Sequence, residues 1–364
     1  MKLLLFHIGS LGDTLASVPA MWAVREQFRG SHITLLSDRQ VGKKYVTPRD
    51  VLDGSQIVDA FADYGVGGGR SARLLNPVRK LALLAWMRQQ HFDAVVYLVH
   101  LHSRGSRKRV IRDRHFFRLA GVKTIMGMDD IFPWPSKQDA HPLPTIPPMA
   151  EQLLSRLRAS GIGGPADRLR IDIGLNADDR EKVAVWADQL ADDRGRPWIA
   201  VAPGTKMPSK RWRPDRFVKV VRRLIGEFDV WPVVFGGSED ESLGLEMLDH
   251  WQRGHLAAGA LSIREAAVAL EQCQLYLGND TGTMHLAASV GVPCVAIFSA
   301  RDVPGAWHPL GERHRVMRSQ IDCEGCMLVE CATRRTECLT QIQTDEVLNA
   351  CRAALGSHIK RRAS

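Results

Sequence analysis

Strand-sized apolar runs alternate with stretches of helical periodicity along most of the 364 residues. In the first half the runs cover residues 2–8, 33–37 and 92–99, and apolar positions spaced three and four apart predict helices over 14–27 and 77–90. The second half restarts with runs at 198–203, 231–236, 275–279 and 293–299, with helical patterns after each except the last. Continuous apolar runs joined by helices are what a parallel sheet covered on both faces requires, because each parallel crossover lays a helix on the sheet. Two such series predict an α/β chain of two Rossmann-like doubly wound domains, in keeping with a length above that of one average domain. Residues 139–148 carry four prolines, which block regular helix, while the helical pattern at 151–160 is assigned to the first domain. The boundary is therefore expected near residue 172, giving domains 1–172 and 173–364. A last helical pattern over 345–355 precedes the basic tail 358–362, which is expected to be frayed.

Charge narrows the partners. With 49 Lys and Arg against 40 Asp and Glu, the net charge of +9 favours anionic partners: nucleic acid, anionic lipid or phosphorylated sugar. No stretch approaches the ~20 apolar residues of a membrane span. The opening Met1-Lys2-Leu3-Leu4-Leu5-Phe6 begins like a secretory leader, but Gly9, Gly12 and Asp13 interrupt it and no small-residue cleavage site follows. It reads as a first core strand, and the protein is expected to be cytoplasmic.

Open parallel sheets bind ligands beyond the carboxyl ends of their strands, so the loops there are the candidates. After the first run comes Gly9-Ser10-Leu11-Gly12-Asp13, whose glycine spacing is not that of the dinucleotide fingerprint and whose carboxylate would repel a pyrophosphate. Asp13 is either an N-cap, for which Asp is well suited, or a general base. In the second half Asp280-Thr281-Gly282-Thr283 leads from a strand into a helix containing His285, an anion site built of backbone N–H groups, hydroxyls and a helix N-terminus, or else a capped helix with a structural His. The loop Pro203-Gly204-Thr205-Lys206-Met207-Pro208-Ser209-Lys210-Arg211-Trp212 gathers three cations that can neutralise a departing diphosphate. Gly236-Gly237-Ser238-Glu239-Asp240-Glu241 places carboxylates where a ribose diol can bind.

These elements, in this order, resemble glycosyltransferase family 9, the ADP-heptose:lipopolysaccharide heptosyltransferases. The elements are Gly9 to Asp13, Lys210-Arg211-Trp212 after Pro203-Gly204, Gly236-Gly237 with Glu241, and Asp280-Thr281-Gly282-Thr283-Met284-His285 followed by Ala-Ala and Gly-Val-Pro. The resemblance is most specific in the second half. It implies a GT-B fold, with two domains facing across a cleft, and an inverting transfer of heptose from ADP-heptose to a lipopolysaccharide inner-core or related saccharide, with no metal required for catalysis. It further implies Asp13 as catalytic base and Lys210 as stabiliser of the leaving diphosphate. Thr205, Lys206, Glu241, Asp280, Thr281, Gly282 and His285 would bind the donor. The acceptor would fall to the first domain, to Ser10 and to Arg104, Arg107 and Arg109 of a basic stretch that suits a phosphorylated glycan or, at the inner face of the inner membrane, anionic lipid. The stretch also reads as a solvated helix face.

Of seven cysteines, four form Cys323-x2-Cys326-x4-Cys331-x6-Cys338, with the short first spacing of metal knuckles. Four thiolates there would hold structural zinc or iron, as similar segments do in some relatives of the family; the alternatives are free thiols or a disulfide, the latter disfavoured in a reducing compartment. Cys273, Cys294 and Cys351 read as small buried residues. Two other functions compete with heptose transfer: the same fold with another sugar nucleotide or a protein acceptor, and a non-catalytic nucleotide- or nucleic-acid-binding protein. No nucleic-acid partner is expected, because the basic charge lacks interleaved aromatic residues.

Overall fold

A computed structural model describes residues 1–40, 45–66, 70–102, 106–135, 141–164, 169–190, 195–332 and 334–362, with the side chains of 70–76 and 357–362 left aside. The chain divides into two compact units, Met1–Trp134 with Pro147–Gly174, and Pro135–Ile146 with Leu175–Ser364. No helix among the described residues is long and apolar enough to cross a membrane.

The first unit runs β1 (Lys2–His7), α1 (Leu11–Gln27), β2 (His32–Gln40), α2 (Pro48–Leu52), β3 (Ala60–Val66), α3 (Arg70–Gln90), β4 (Ala94–Tyr97), α4 (Ser106–Leu119), β5 (Thr124–Met126) and α5 (Met149–Ala159). Its strands pair in parallel in the order β3-β2-β1-β4-β5, with Leu4 opposite Thr34 on one side and Val95 on the other. Leu3, Leu4 and Leu5 are fully buried because β1 is central and covered on both faces, so its run has no polar alternation. The order reverses direction between β1 and β4, and the crevice beyond their carboxyl ends is where such sheets take ligands. Strands β3 and β5 escaped the sequence reading because they are edges: β3 contains Asp63 and Gly65, and β5 has three residues.

The second unit runs α6 (Ala177–Asp188), β6 (Trp198–Ala202), α7 (Pro214–Phe228), β7 (Trp231–Val234), α8 (Glu241–Trp251), β8 (His255–Leu256), α9 (Ile263–Glu271), β9 (Cys273–Asn279), α10 (Gly282–Ser289), β10 (Cys294–Phe298), β11 (Arg315–Arg318), α11 (Glu337–Thr340) and α12 (Thr344–Arg362). The parallel order β11-β10-β9-β6-β7-β8 repeats the doubly wound plan and puts its reversal between β6 and β9. Helix α7 starts with Pro214 at its first turn and buries Phe217, Val220, Val221 and Leu224, spaced three or four apart, against this sheet. Trp212, buried just ahead of it, meets Phe217 edge to face with centroids 5.0 Å apart and donates its indole N–H to the Ile342 carbonyl.

Two expectations change. The proline-rich stretch belongs to the second unit up to Ile146 and to the first from Pro147: Leu143 and Ile146 are buried, the Leu143 N–H bonds the Glu324 carboxylate, and the Ile146 N–H bonds the Pro304 carbonyl at 2.9 Å. Pro cannot continue a helix, but it does not stop its neighbours from packing as extended chain. The basic tail, expected to be frayed, has helical backbone through Arg362 as the end of α12.

Candidate active site

In the first unit the turn after β1 is closed around Asp13. Gly9 has φ +140°, and a Cβ there would overlap the Asp13 side chain, so the carboxylate sits where only glycine leaves room. The Gly9 N–H is held by Asp38 at 3.0 Å. Ser10, not Asp13, is the N-cap of α1; Asp13 occupies the third helical position and reaches back to accept the Ser10 N–H on Oδ2 at 3.0 Å. Asp13 is thus not the N-cap itself but braces the turn with its carboxylate. Burial raises the Asp13 pKa above its ordinary value, against the pull of His7, the Ser10 N–H and His102.

Behind the turn lie two histidines that the sequence reading missed. His7, the last residue of β1, and His100, just past β4, have ring centroids 6.3 Å apart, and Ser17 Oγ lies 3.4 Å from one ring and 3.0 Å from the other. The His100 Nε2 is also 3.0 Å from the Asp13 carbonyl oxygen. Burial, with His100 as neighbour, lowers the His7 pKa to about 4, and burial lowers that of His100 to about 3. Both rings are therefore neutral at physiological pH. Their folded pKa values lie below the ordinary 6.5, so protonation below pH 6.5 favours the unfolded chain. Stability should fall by about 2 kcal/mol per histidine between pH 6.5 and pH 5, partly offset by Asp13, whose raised pKa acts in the opposite sense. Urea unfolding at the two pH values checks this: His100→Gln should show the shallower loss, and an unchanged pH slope would contradict the assignment.

In the second unit the loops after β6 and β9 meet beside the sheet's reversal point. Lys210, in a short turn over Pro208–Lys210, places Nζ 2.6 Å from Asp280 Oδ2 and 3.2 Å from Asp302 Oδ2. Arg301 holds Asp302 through both carboxylate oxygens at 2.9 and 2.7 Å and donates to the Leu328 and Met327 carbonyls. A half-buried and a buried cation, Lys210 and Arg301, thus face two buried carboxylates. Burial works against the Lys210 ammonium, but Asp280 and Asp302 outweigh it and hold its pKa above the ordinary value; burial likewise raises Asp280 against the pull of Lys210. Two of the three ammonium donors are committed, leaving one for a ligand oxygen. The loops are tied together by Asn279, which accepts the Trp212 N–H at 3.1 Å and donates to the Pro203 carbonyl at 2.7 Å. Arg301, Asp302 and Asn279 were not singled out from the sequence, although Arg301 and Asp302 follow strand β10 as Asp280 follows β9.

Around this cluster, Thr281 caps α10 and His285 lies buried one turn in, 6.3 Å from the Trp307 ring. Gly282 opens the helix between them. Thr205 is half-buried, accepting the Met207 N–H, and Lys206 is exposed. Of the carboxylates after β7, Asp240 accepts the Gly237 N–H at 3.2 Å and packs against Gly204, so it braces the loop. Glu241 is exposed at the start of α8, against Gly259, whose φ is +74°.

In the first unit Ser10 is half-buried, Arg107 is exposed and Arg109 half-buried on α4, whereas Arg104 lies outside the described residues. Arg112 and Arg114 are paired with Asp113 and Asp129. The four clustered cysteines are free thiols, as are Cys273, Cys294 and Cys351. Burial raises the Cys338 pKa and the other three add to it, so the four share a neighbourhood. Among the described residues, no three His, Cys, Asp or Glu side chains are arranged to hold a metal ion, and the cysteines as they stand do not fit one.

Comparison with known proteins bears on both units. The sequence model of glycosyltransferase family 9 (heptosyltransferase) matches residues 115–336. Lipopolysaccharide heptosyltransferase 2 of Salmonella typhimurium is 32% identical over 132 residues, 34% of this chain and 36% of that protein. The chain thus spans about a third of the length of that curated relative. E. coli ADP-heptose lps heptosyltransferase II superposes with a TM-score of 0.68 at 19% identity, covering 98% of this chain and 99% of that one. E. coli heptosyltransferase WaaC with ADP-2-deoxy-2-fluoro heptose gives 0.65 at 14% identity, over 97% and 99%. Likeness over nearly the whole chain identifies the fold as GT-B.

Proposed function

From a chain that belongs to glycosyltransferase family 9, we propose an inverting glycosyltransferase that moves a heptose from ADP-heptose to a lipopolysaccharide inner-core or related saccharide. In such a transfer an acceptor hydroxyl attacks the anomeric carbon, the bond from that carbon to the diphosphate oxygen breaks, and the hydroxyl proton passes to a base. Asp13 is that base in our reading, supported by its place in the turn beyond β1 and a pKa that burial raises above the ordinary carboxylate value. The charge that develops on the diphosphate falls to the remaining donor of Lys210 and to the α10 N-terminus at Thr281 and Gly282, so that a fixed cation takes the part that a divalent ion plays elsewhere. Glu241 is assigned to the ribose, with Thr205, Lys206, Asp280 and His285 lining the donor site. Ser10, Arg104, Arg107 and Arg109 are assigned to the acceptor, and the domain roles to the two halves meeting near residue 172.

The observation that carries the reading is the pair of Lys210 with the buried Asp280 at the point where the second sheet reverses order. ADP-heptose should raise the thermal midpoint of the protein, as a ligand of the folded state does, and give a glycosylated product identifiable by mass spectrometry and NMR. Neither a shift nor a product with ADP-heptose, alongside both with another sugar nucleotide, would replace the donor and keep the reaction class. No response to any sugar nucleotide would remove the reading.

The same reading places the protein in the cytoplasm, with the exposed Arg107 and Lys108 of α4 meeting anionic headgroups at the inner membrane face. A structural metal at Cys323, Cys326, Cys331 and Cys338 is supported by their spacing and shared neighbourhood, though not by their present arrangement. Protein purified without oxygen should then carry stoichiometric iron or zinc; metal-free protein of full stability would dismiss it.

A further inference from the structure

The turn that carries Asp13 is held by a second carboxylate. The N–H groups of Gly9 and Ser10, neighbours in the chain, bond different acids: Ser10 bonds Asp13 Oδ2 at 3.0 Å, and Gly9 bonds Asp38 Oδ1 at 3.0 Å. Asp38 lies near the end of β2, the strand beside β1, and is buried. Both of its oxygens are engaged. Oδ1 accepts the Gly9 N–H and the Tyr45 hydroxyl, the latter at 3.1 Å, while Oδ2 accepts the same hydroxyl at 3.2 Å and the Gln40 side-chain amide at 3.2 Å. A carboxylate removed from water is costly to keep, and bonds to it are stronger than bonds between neutral groups. Its donors are thus firmly held, and it has the form of an anchor.

What it anchors is the residue against which Asp13 rests. Gly9 has φ +140°, and a Cβ there would overlap the Asp13 side chain, so that side chain lies directly on the Gly9 backbone. Glycine is the residue least able to hold a peptide orientation by its own sterics. We propose that Asp38, latched by Tyr45, is a positioning residue for Asp13: it fixes the Gly9 peptide and so keeps the Asp13 carboxylate where an acceptor hydroxyl can reach it. The proposal rests on the reading of Asp13 as base. Displacing a reacting group by about 1 Å costs on the order of 10²-fold in rate, so an anchor of this kind acts on turnover more than on donor affinity.

The test uses Asp38→Ala, Asp38→Asn and Tyr45→Phe in the full-length protein, with ADP-heptose as donor and an inner-core lipopolysaccharide acceptor. Asp38→Ala should lower kcat about tenfold or more and leave KM for the nucleotide sugar within about twofold, because the donor is assigned to the other unit. Asp38→Asn keeps an oxygen for the Gly9 N–H and should regain most of the loss. The Gly9 amide resonance should move upfield in the Ala variant and return in the Asn variant. Tyr45→Phe, at a half-buried position, should lower kcat about two- to fivefold and decides the matter if Asp38→Ala does not fold. A brace of the fold alone would lower the activity of any background, whereas Asp38→Ala added to Asp13→Asn should cost nothing further, since both act through one base. Native kcat in folded Asp38→Ala or in Tyr45→Phe, no recovery in Asp38→Asn, or additive losses with Asp13→Asn would overturn the proposal. Turnover lost in Asp13→Asn but kept in Asp38→Ala removes this proposal and leaves the base; turnover kept in Asp13→Asn removes the base, and this proposal with it.

Discussion

Replacing Asp13 by Asn is expected to lower kcat by about 10²- to 10⁴-fold while leaving the affinity for the nucleotide sugar nearly unchanged. Asn keeps the size of the side chain and an oxygen for the Ser10 N–H, so the turn and helix α1 should persist. What disappears is the proton acceptor. The pH profile sharpens the test: a base acts deprotonated, and burial raises the Asp13 pKa, so the acid limb of kcat/KM should lie above the ordinary carboxylate value of 3.8. That limb should be absent from the residual activity of the Asn variant. Unchanged turnover, or an unchanged acid limb, would take the base role from Asp13 and leave it as a brace of its turn.

The second large effect is expected at Lys210. Lys210→Met removes the ammonium between Asp280 and Asp302 and leaves two buried carboxylates with, among the described residues, Arg301 to compensate. Breaking a buried pair in this way costs about 3–5 kcal/mol, and donor binding should fall with it. Asp280→Asn alone should also destabilise, but the double variant should recover much of the loss, because it removes the orphaned charge together with its partner. It should recover no turnover. Urea unfolding of the four proteins, with turnover measured in parallel, separates the two contributions. Stability losses that merely add would show that Lys210 and Asp280 do not act as a pair.

The parts of the fold that were legible lie where burial is symmetric. Strands β1, β6, β9 and β10 are covered on both faces and read as unbroken apolar runs, and α7 announces itself by Pro214 and the spacing of Phe217, Val220, Val221 and Leu224. The edges were not legible: β11, Arg-Val-Met-Arg, and β8, two residues long, carry too little apolar pattern to separate from loop. Candidate chemistry followed the same division. Looking beyond strand ends was enough to bring up the loops that hold Asp13, Lys210 and Asp280, and the family resemblance then picked out these residues within them. Asp302 follows β10 in the same way but sits beside Arg301, and a neighbouring opposite charge reads as solvated surface until burial is known. His7 and His100 belong to different strands. Only tertiary packing removes these side chains from water, and no spacing along the chain encodes that.

The passage of Pro135–Ile146 into the second unit, between two segments of the first, has a practical consequence for dissecting the protein. A single cut near residue 172 leaves the carboxyl-terminal fragment without the stretch that supplies Leu143 to Glu324 and Ile146 to Pro304. A cut ahead of Pro135 strips the amino-terminal fragment of α5. Neither half can be expressed whole from one uninterrupted reading of the gene, and isolated halves that aggregate would report on this interleaving rather than on weak cores.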